Sequence, residues 1–474
     1  MEWAIQIDNQ VQALDWEQER PQRASIYEIP SVISNQNQEA YVPQMVSFGP
    51  YHHGKQTLGA MEKHKERALI HFLNRSVVTL QSIFHSLRDE AQKLKDTYES
   101  LDVSWHNDTE RFLQLMVVDG CFMLEILYFA TQPASDYPNN DPVFSTHGKV
   151  YVLPFIRRDM SLLENQLPML VLIKLWDATN KFDSEVVKSL NKLILGLCNP
   201  AAKHRNLGKC LHVLDLHRKS LLGKTHSNNV AQPRTKKHVR DPRFHHKDEN
   251  IVRSVTELQF AGIIFKKRPI GFLDDISFKD GILELPSFVV DDMTKSTFLN
   301  LVAFERCHVD AGHDITAFIY FMDNIVKDEH DISPLCSVGI LQNCIGSDKK
   351  VAKLFNTMAK DQITYPSGKL KEVREKVDEY CELPWNRWRA ELMSTYLRSP
   401  WDPSTILTAI LAFGLTVVQT AYSILQYEQE SPHLKYGKKN SRQLFLTPTL
   451  TPTPTPTPGK TPKIAEETEP SPYY

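Results

Sequence analysis

The chain has 474 residues, of which 41% are hydrophobic and 24% are charged, which is enough to bury one large core or several smaller ones. The 55 Lys and Arg residues nearly balance the 57 Asp and Glu residues, for a formal net charge of -2. Because this balance provides no general attraction for a phosphate backbone, we expect no nucleic-acid partner. The seven cysteines are scattered and never form a C-x-x-C pair, which argues against a disulfide-stapled secreted scaffold and against a zinc ribbon.

The N-terminal part of the chain predicts a loose lead-in followed by helices. Residues 1–24 are polar and mixed, with neither the basic start nor the apolar run that is typical of a cleavable signal peptide. A helical domain is predicted over residues 25–400. Its first amphipathic helices are expected at 61–73 and 78–99, because apolar residues recur there at steps of three and four.

A nearly uniform apolar segment follows at residues 109–130. It contains Asp119 and Glu125, and charges at that depth are expensive in lipid, so we interpret the segment as a central core helix. The two carboxylates are six residues apart and would face directions about 240° apart on a helix, so they cannot form a local acid–base pair. We expect each to be satisfied by a separate structural partner.

The segment 159–176 repeats this apolar pattern and is expected to pack against the first one. Asp159 is predicted to cap its N-terminus. Pro168 is predicted to kink the helix or to restart it, because proline cannot donate the hydrogen bond that the helix interior needs.

The composition changes over residues 199–253. Between residues 224 and 253, eight Lys or Arg residues and four His residues accompany only three acids, and few of these side chains can enter a core. We therefore expect a long, exposed and disordered basic insertion within the helical domain.

Regular structure is predicted again from residue 254 onward. The dipeptide Asp280-Gly281 between apolar residues predicts a short β-hairpin. Five helices are expected, at 293–308, 313–327, 348–360, 368–380 and 384–398. The predicted fold class is mainly α: a large helical domain with one or two small β-hairpins, followed by a single C-terminal transmembrane helix and a disordered tail.

The transmembrane prediction rests on residues 404–425, within a stretch at 403–427 that has no charged residue. A helix over residues 404–425 would rise roughly 33 Å, about the thickness of the hydrocarbon core of a bilayer. The predicted span is marked along its length by Ser404, Ile410, Gly414, Val418 and Leu425. The alternative is a soluble helical scaffold with this last helix buried, and we favour the membrane because the helix has no polar stripe to face water. Residues 428–474 are predicted to be a disordered, Thr-Pro-rich tail.

Residues 41–64 are the segment that most resembles a chemical site. His52, His53 and His64 are of a residue type that binds zinc. Adjacent histidines rarely point at one atom, however, so we prefer a rigid loop leading into a helix and expect no metal and no other cofactor. The alternative is a metal-dependent enzyme that uses this loop together with Asp119 or Glu164. The signatures G-x-S-x-G, G-x-x-x-x-G-K-[ST], G-x-G-x-x-G and H-E-x-x-H are absent from the sequence.

Several sequence blocks occur in an order that is typical of one family. They are 26–30, 41–54 with Pro50, Tyr51, His52, His53 and Gly54, 61–65, 118–125 with Asp119 and Gly120, 159 and 162–168 with Glu164, Asn165 and Gln166, 256–258 with 261–262, 300–305, 351–356 and 388–390. In these blocks the chain resembles the plant domain-of-unknown-function 247 family, also called uncharacterised protein family 0481. The resemblance covers about residues 26–425.

This resemblance implies a plant protein that is largely helical and membrane-associated, with no established catalytic activity. Some members in grasses are linked to pollen–stigma self-incompatibility, which suggests recognition or signalling. The family supplies no catalytic residues, so the shared blocks are interpreted as core and packing motifs. The chain departs from the family pattern at Ser161, where leucine is usual, and in its longer Thr-Pro tail.

We therefore expect a non-enzymatic, single-span plant membrane protein that takes part in protein recognition or signalling. Its expected partners are a lipid bilayer, through residues 404–425, and an unidentified protein, and assembly into a homo-oligomer is a further alternative. The expected location is the plasma membrane or an endomembrane. The scattered cysteines and the N-terminal sequence favour a cytosolic N-terminal domain.

Overall fold

The computed structural model describes residues 3–5, 7, 24–76, 78–132, 136–179, 184–223, 253–269, 271–360, 369–396 and 402–430. The chain divides into two units, Met1–Arg398 and Ser399–Tyr474. Three predictions fall largely outside the described residues: the lead-in at 1–24, the most basic part of the insertion at 199–253, and the tail at 428–474.

The first unit is mainly helical, which confirms the mainly α part of the predicted fold class. The helices described up to residue 223 are α1 (Ser31–Ser34), α2 (Gly59–Arg75), α3 (Leu80–Arg88), α4 (Ala91–Lys95), α5 (Val103–Asn107), α6 (Thr109–Thr131), α7 (Thr146–Tyr151), α8 (Leu153–Asp159), α9 (Met169–Thr179), α10 (Val186–Cys198) and α11 (Val213–Leu221). From residue 253 to residue 396 they are α12 (Val255–Phe260), α13 (Thr294–Cys307), α14 (Asp314–Ile325), α15 (Ile332–Ser337), α16 (Asp348–Ala359), α17 (Lys369–Glu382) and α18 (Pro384–Tyr396). The strands are β1 (Ile264–Lys267), β2 (Ser277–Lys279), β3 (Ile282–Leu285), β4 (Phe288–Val290) and β5 (Leu341–Asn343).

Helix α6 lies at the centre of the first of two hydrophobic cores. Asp108 caps its start by accepting a hydrogen bond from the backbone N–H of Arg111 at 2.9 Å. Most of the helix is buried, and α2, α9 and α10 pack around it. Gly120 permits the close approach of α9, because a Cβ at this position would lie 2.5 Å from Cδ1 of Leu175. The predicted core helix is therefore confirmed, and so is its packing against the next apolar segment.

Two other predicted helices are divided in the structure. The segment 78–99 contains the separate helices α3 and α4, because the chain turns at Asp89 and Glu90. In the segment 159–176, α8 ends at Asp159, and α9 begins at Met169, directly after Pro168. The prediction that Asp159 caps the second helix is wrong. Residues 160–168 separate the two α-helices, and the second helix starts directly after Pro168, as predicted for a restart.

The second hydrophobic core lies among α13, α14 and α16 and is flanked by two small sheets. Strands β2 and β3 are antiparallel, and Asp280 and Gly281 in the turn both have positive φ, as a type I′ hairpin turn requires. The predicted hairpin is therefore confirmed. In contrast, β1 pairs with β3 in parallel and β4 pairs with β5 in parallel, so the second sheet is not a hairpin.

The five helices that the sequence predicts beyond residue 290 are present as α13, α14, α16, α17 and α18, with ends that differ by at most two residues. Regular apolar spacing identifies four of them because each buries apolar residues in the second core, whereas the described part of α18 contributes only the half-buried Ala390.

The second unit contains one described helix, α19 (Asp402–Glu430). Within it, Leu407–Tyr427 is long and apolar enough to cross a membrane, judged by length and composition. None of that window is buried, whereas 83% of the corresponding window of α6 is buried. The exposure of these residues therefore does not favour the alternative of a soluble scaffold whose last helix is buried.

Candidate functional site

The loop at residues 41–54, called the motif loop below, is held by buried side chains that bind its backbone. Asp159, at the end of α8, accepts hydrogen bonds from three backbone N–H groups: Gln44 at 3.0 Å, Met45 at 2.7 Å and Val46 at 3.0 Å. The guanidinium of Arg158 lies 3.0 Å from the same carboxylate. Burial raises the pKa of Asp159, while the three amides and Arg158 oppose that rise. Asp159 therefore satisfies backbone donors that burial would otherwise leave unpaired.

Asn165 and Asp119 hold the next part of the motif loop. Oδ1 of Asn165 accepts a hydrogen bond from the N–H of Phe48 at 2.7 Å, and its Nδ2 donates to the carbonyl oxygen of Val46 at 3.0 Å. Asp119, on α6, accepts a hydrogen bond from the N–H of Gly49 at 2.8 Å. The three side chains Asp119, Asp159 and Asn165, which we call the amide cradle, thus fix the backbone from residue 44 to residue 49.

Lys65 on α2 supplies the positive charge beside Asp119 in the amide cradle. Its Nζ lies 2.7 Å from Oδ1 of Asp119 and 2.8 Å from Oε1 of Glu62, and it donates a hydrogen bond to Oγ of Ser47 at 3.2 Å. Burial lowers the pKa of Lys65, but the carboxylates of Asp119 and Glu62 outweigh burial and raise it above its ordinary value. The ammonium form is therefore retained inside the protein.

Gly49 and Gln166 meet at the bottom of the motif loop. Gly49 has a φ of 72°, and a Cβ there would lie 2.9 Å from the carbonyl oxygen of Gln166 and 2.9 Å from the hydroxyl of Tyr98. The side chain of Gln166 donates to the carbonyl oxygens of Met160 and Leu162, both at 2.7 Å, and accepts from the N–H of Leu214 at 3.0 Å. Gln166 therefore ties the segment between α8 and α9 to helix α11.

Glu164 and His52 form a second, less buried contact. Oε1 of Glu164 accepts a hydrogen bond from the N–H of Ile29 at 2.7 Å, and its Oε2 lies 3.2 Å from Nε2 of His52. Nδ1 of His52 lies 2.7 Å from Nζ of Lys55. Both predicted motif residues therefore have structural partners.

The remaining motif residues pack the outer end of the loop. Pro50 is buried. The hydroxyl of Tyr51 donates to the carbonyl oxygens of Ile26 and Glu99, and its ring meets Tyr98 edge to face at 5.7 Å. Gly54 has a φ of 79°, which completes the turn.

The structure does not bring the three candidate zinc ligands together. His52 contacts Glu164 and Lys55, whereas the ring of His53 lies edge to face against Trp105 at 5.5 Å. The pKa of His64 is lowered by burial and by the charge of Arg67. Within the part of the chain that the structure describes, no group of three His, Cys, Asp or Glu side chains is arranged to hold a metal ion.

Asp119 and Glu125 face different partners, as the helical spacing predicts. Glu125 is buried against Arg75, and it accepts a hydrogen bond from the hydroxyl of Tyr137 at 2.9 Å. Burial raises the pKa of Glu125, and Arg75 opposes this rise. The two carboxylates are therefore used separately, one at each side of α6.

Sequence reasoning missed the positive partners and a further buried ion pair outside the amide cradle. Nε of Arg218 donates to Oε1 of Glu305 at 2.9 Å, and Glu305 also accepts hydrogen bonds from the N–H groups of Ile315 and Thr316 at the start of α14. The available signal was weak: Lys65 and Glu305 each end a block shared with the family, but nothing in the sequence names their partners.

The residues of the predicted span lie on one helix. Ile410, Gly414, Val418 and Leu425 are all exposed along α19. Ser404 belongs to the same helix, and its side chain lies outside the described part. The hydroxyls of Thr416, Thr420 and Ser423 donate to backbone carbonyls four residues earlier, at 2.7, 2.7 and 2.9 Å.

A mainly helical domain with a buried polar network, followed by a separate apolar helix, defines the class of this protein. A family model described as "Plant protein of unknown function", DUF247, matches residues 26–415. The chain belongs to this plant family, which confirms the resemblance that the motif order indicates.

Two curated relatives from Arabidopsis thaliana are similar over most of their length. The UPF0481 protein At3g47200 is 29% identical over 424 residues, covering 85% of this chain and 86% of the relative. The putative UPF0481 protein At3g02645 is 21% identical over 513 residues, covering 88% of this chain and 93% of the relative. No solved structure matches the chain.

Proposed function

We propose that this protein is a non-enzymatic, single-pass plant membrane protein whose helical domain recognises another protein. The observation that carries the proposal is the exposure of the apolar window Leu407–Tyr427 on α19. Burial of such a surface in the hydrocarbon core of a bilayer is favourable, because large apolar side chains leave water along the whole helix.

Two threonines of α19 also suit a lipid environment. A polar group that has no hydrogen-bond partner in hydrocarbon costs several kcal/mol of free energy. Thr416 and Thr420 avoid this cost because each hydroxyl donates to a carbonyl of the same helix. These residues therefore reduce the hydrophobicity of the helix without requiring water.

The buried network supports a structural and recognition role for the domain. The amide cradle uses its carboxylates and amide group to bind the backbone of the motif loop. The hydrogen bonds of these groups therefore hold the loop in its conformation. Burial raises the pKa of Cys307 to about 11 and that of Cys210 to about 12, which is the reverse of what a nucleophilic thiol needs.

A surface at the junction of α7 and α8, called the 150–155 patch, is our candidate for protein recognition. Val150, Tyr151 and Phe155 are large apolar side chains, and all three are exposed there. Exposed apolar residues that lie together mark interaction sites more often than single ones do. Aromatic residues are also enriched at the centres of protein interfaces.

The domain is proposed to face the cytosol, at the plasma membrane or an endomembrane. All seven cysteines are free thiols in the structure, and free thiols persist in the reducing cytosol.

Carbonate extraction of membranes that contain the full chain tests the anchor. The full chain should stay in the membrane pellet at high pH, and deletion of 402–427 should release it. Deletion of 431–474 is the matched control and should change nothing. Carbonate-resistant association that survives the first deletion would overturn the anchor.

Photo-cross-linking in the membrane tests the recognition surface. A photoreactive residue in place of Tyr151 should give a discrete protein adduct, and the substitution Phe155→Ser should weaken it. The same residue in place of Val32, which is also exposed, is the control. Equal adducts at both positions, or none at position 151, would contradict this surface.

A further inference from the structure

Helix α18 exposes two neighbouring tryptophans just before the proposed anchor. Trp385 is 70% exposed and Trp388 is 53% exposed, and their ring centroids lie 5.1 Å apart. Large aromatic side chains normally gain free energy by leaving water. An exposed pair therefore calls for an occupant.

The rest of α18 is fixed against the domain. Asn386 is buried and donates from Nδ2 to the carbonyl oxygen of Tyr380 at 2.8 Å. Ala390 packs against the second core, and the guanidinium of Arg389 lies over Gly262. Because these contacts hold one face of the helix, the tryptophans are held outward on another face.

The outward face forms a continuous apolar stripe. At 100° per residue, the half-buried Leu392 falls between Trp385 and Trp388 on the helix surface. Leu383, which precedes the helix, is also an exposed apolar residue. On the flank, Nε of Arg387 lies 3.3 Å from Oε1 of Glu391, so this charge is paired.

We propose that the Trp385–Trp388 stripe lies in the interfacial layer of the same bilayer that holds α19. This inference rests on the proposed membrane anchor. Tryptophan is enriched at membrane–water interfaces, where its ring is partly buried and its indole N–H stays near polar groups.

The length of the connecting chain favours a bilayer over a distant partner. Only residues 397–401 join α18 to α19, and a fully extended chain from Tyr396 to Asp402 spans at most about 20 Å. The headgroup layer on each side of a bilayer is roughly 5–8 Å thick. A domain tied this closely to a membrane-spanning helix keeps α18 within reach of the headgroups.

Depth-dependent fluorescence quenching of the full chain in phosphatidylcholine vesicles tests the proposal. The difference in emission between the natural chain and the double variant Trp385→Phe, Trp388→Phe isolates the pair. We expect lipids brominated near the headgroup to quench this difference signal more strongly than lipids brominated near the end of the acyl chain. Iodide added to the water should quench it weakly.

The variant Trp401→Phe separates this inference from the anchor, because Trp401 immediately precedes α19 in the sequence. Quenching of the Trp401 signal by brominated lipid, with the pair quenched only by iodide, would overturn the inference and leave the anchor intact. Protection of the pair from both quenchers would also overturn it, since a protein or a second copy would then cover the stripe. Absence of lipid quenching at all three tryptophans would overturn both proposals. Phenylalanine preserves an apolar ring, and an unchanged circular dichroism spectrum would show that each variant is folded.

Discussion

Nζ of Lys65 lies 2.7 Å from Oδ1 of Asp119, and neither side chain is exposed to solvent. Asp119 also accepts a hydrogen bond from the N–H of Gly49. This ion pair therefore connects α2 and α6 to the motif loop. Buried charges are tolerated only when they are paired and hydrogen-bonded, so each of these groups depends on the others.

The substitution Lys65→Met should strongly destabilise the domain. Methionine preserves much of the volume, but the carboxylate of Asp119 would then be buried without its main counter-charge. We expect a loss of about 3–5 kcal/mol in the free energy of unfolding, the usual cost of removing one partner of a buried pair. Denaturant unfolding of the full chain in detergent, followed by circular dichroism, measures it.

The control for this prediction is Lys93→Met. Nζ of Lys93 lies 3.6 Å from Oε2 of Glu90 on the surface, and exposed pairs contribute about 0–1 kcal/mol. Equal losses in the two variants would show that the buried pair has no special part in stability.

Substitutions at two glycines of the motif loop distinguish the cost of backbone strain from the cost of steric contact. Gly49 and Gly54 both have positive φ, so an alanine at either position costs about 1–2 kcal/mol for the left-handed conformation. Gly49→Ala should cost more than Gly54→Ala, because only the first Cβ meets neighbours, Gln166 and Tyr98, at 2.9 Å. Thermal unfolding of the two variants compares them, and equal shifts in Tm would contradict the crowding at Gly49.

His212 should make stability depend on pH. Burial lowers the pKa of His212 to about 4, whereas the ordinary pKa of about 6.5 applies in the unfolded chain. As the pH falls, the unfolded chain therefore binds this proton first. The contribution of His212 to the free energy of unfolding is fully present above about pH 6.5. About 3 kcal/mol of that free energy is lost by about pH 4.

The substitution His212→Asn should remove this part of the pH dependence. Unfolding of the natural chain and of the variant between pH 7 and pH 4 measures the difference in slope between them. His85→Asn, at an exposed position, is the control and should keep the slope of the natural chain. Parallel curves for the His212 variant and the natural chain would rule out a neutral, buried His212 as the cause.

Protease protection on microsomes should define the orientation. With a tag at each end, we expect the N-terminal tag to be digested and the C-terminal tag to be protected. The sequons at Asn74 and Asn107 should then carry no glycan. Protection of the N-terminal tag together with glycosylation would reverse the orientation, and digestion of both tags would mean that α19 does not span the membrane.

Local patterns predicted much of the fold. The turn at Asp280-Gly281 was predictable because a two-residue turn with two positive φ values strongly favours this dipeptide. The core helix α6 was predictable because charged residues such as Asp119 are too costly in lipid, and because apolar residues occur on all sides of the helix. In contrast, the division between α3 and α4 was missed, since the apolar period continues across the turn.

The candidate site was predictable only in part. The motif residues Asp119 and Asn165 could be selected from their blocks, but their hydrogen bonds to Gly49 and Phe48 could not. Asp159 was expected to cap a nearby helix, yet it binds an amide 114 residues away at Met45. The parallel pairing of β4 with β5 was missed for the same reason, because the two strands are separated by the helices of the second core.

The sequence by itself determined the positions of most helices, the hairpin and the apolar window of α19, because these depend on side-chain periodicity and turn chemistry among near neighbours. Only the tertiary structure decided which partner each buried polar group binds, including the pairing of Lys65 with Asp119 and of Asp159 with the motif loop. A buried donor or charge must be satisfied by whatever group packing brings within about 3 Å. That neighbour is set by how the helices assemble around the core, and the order of residues along the chain does not specify it locally.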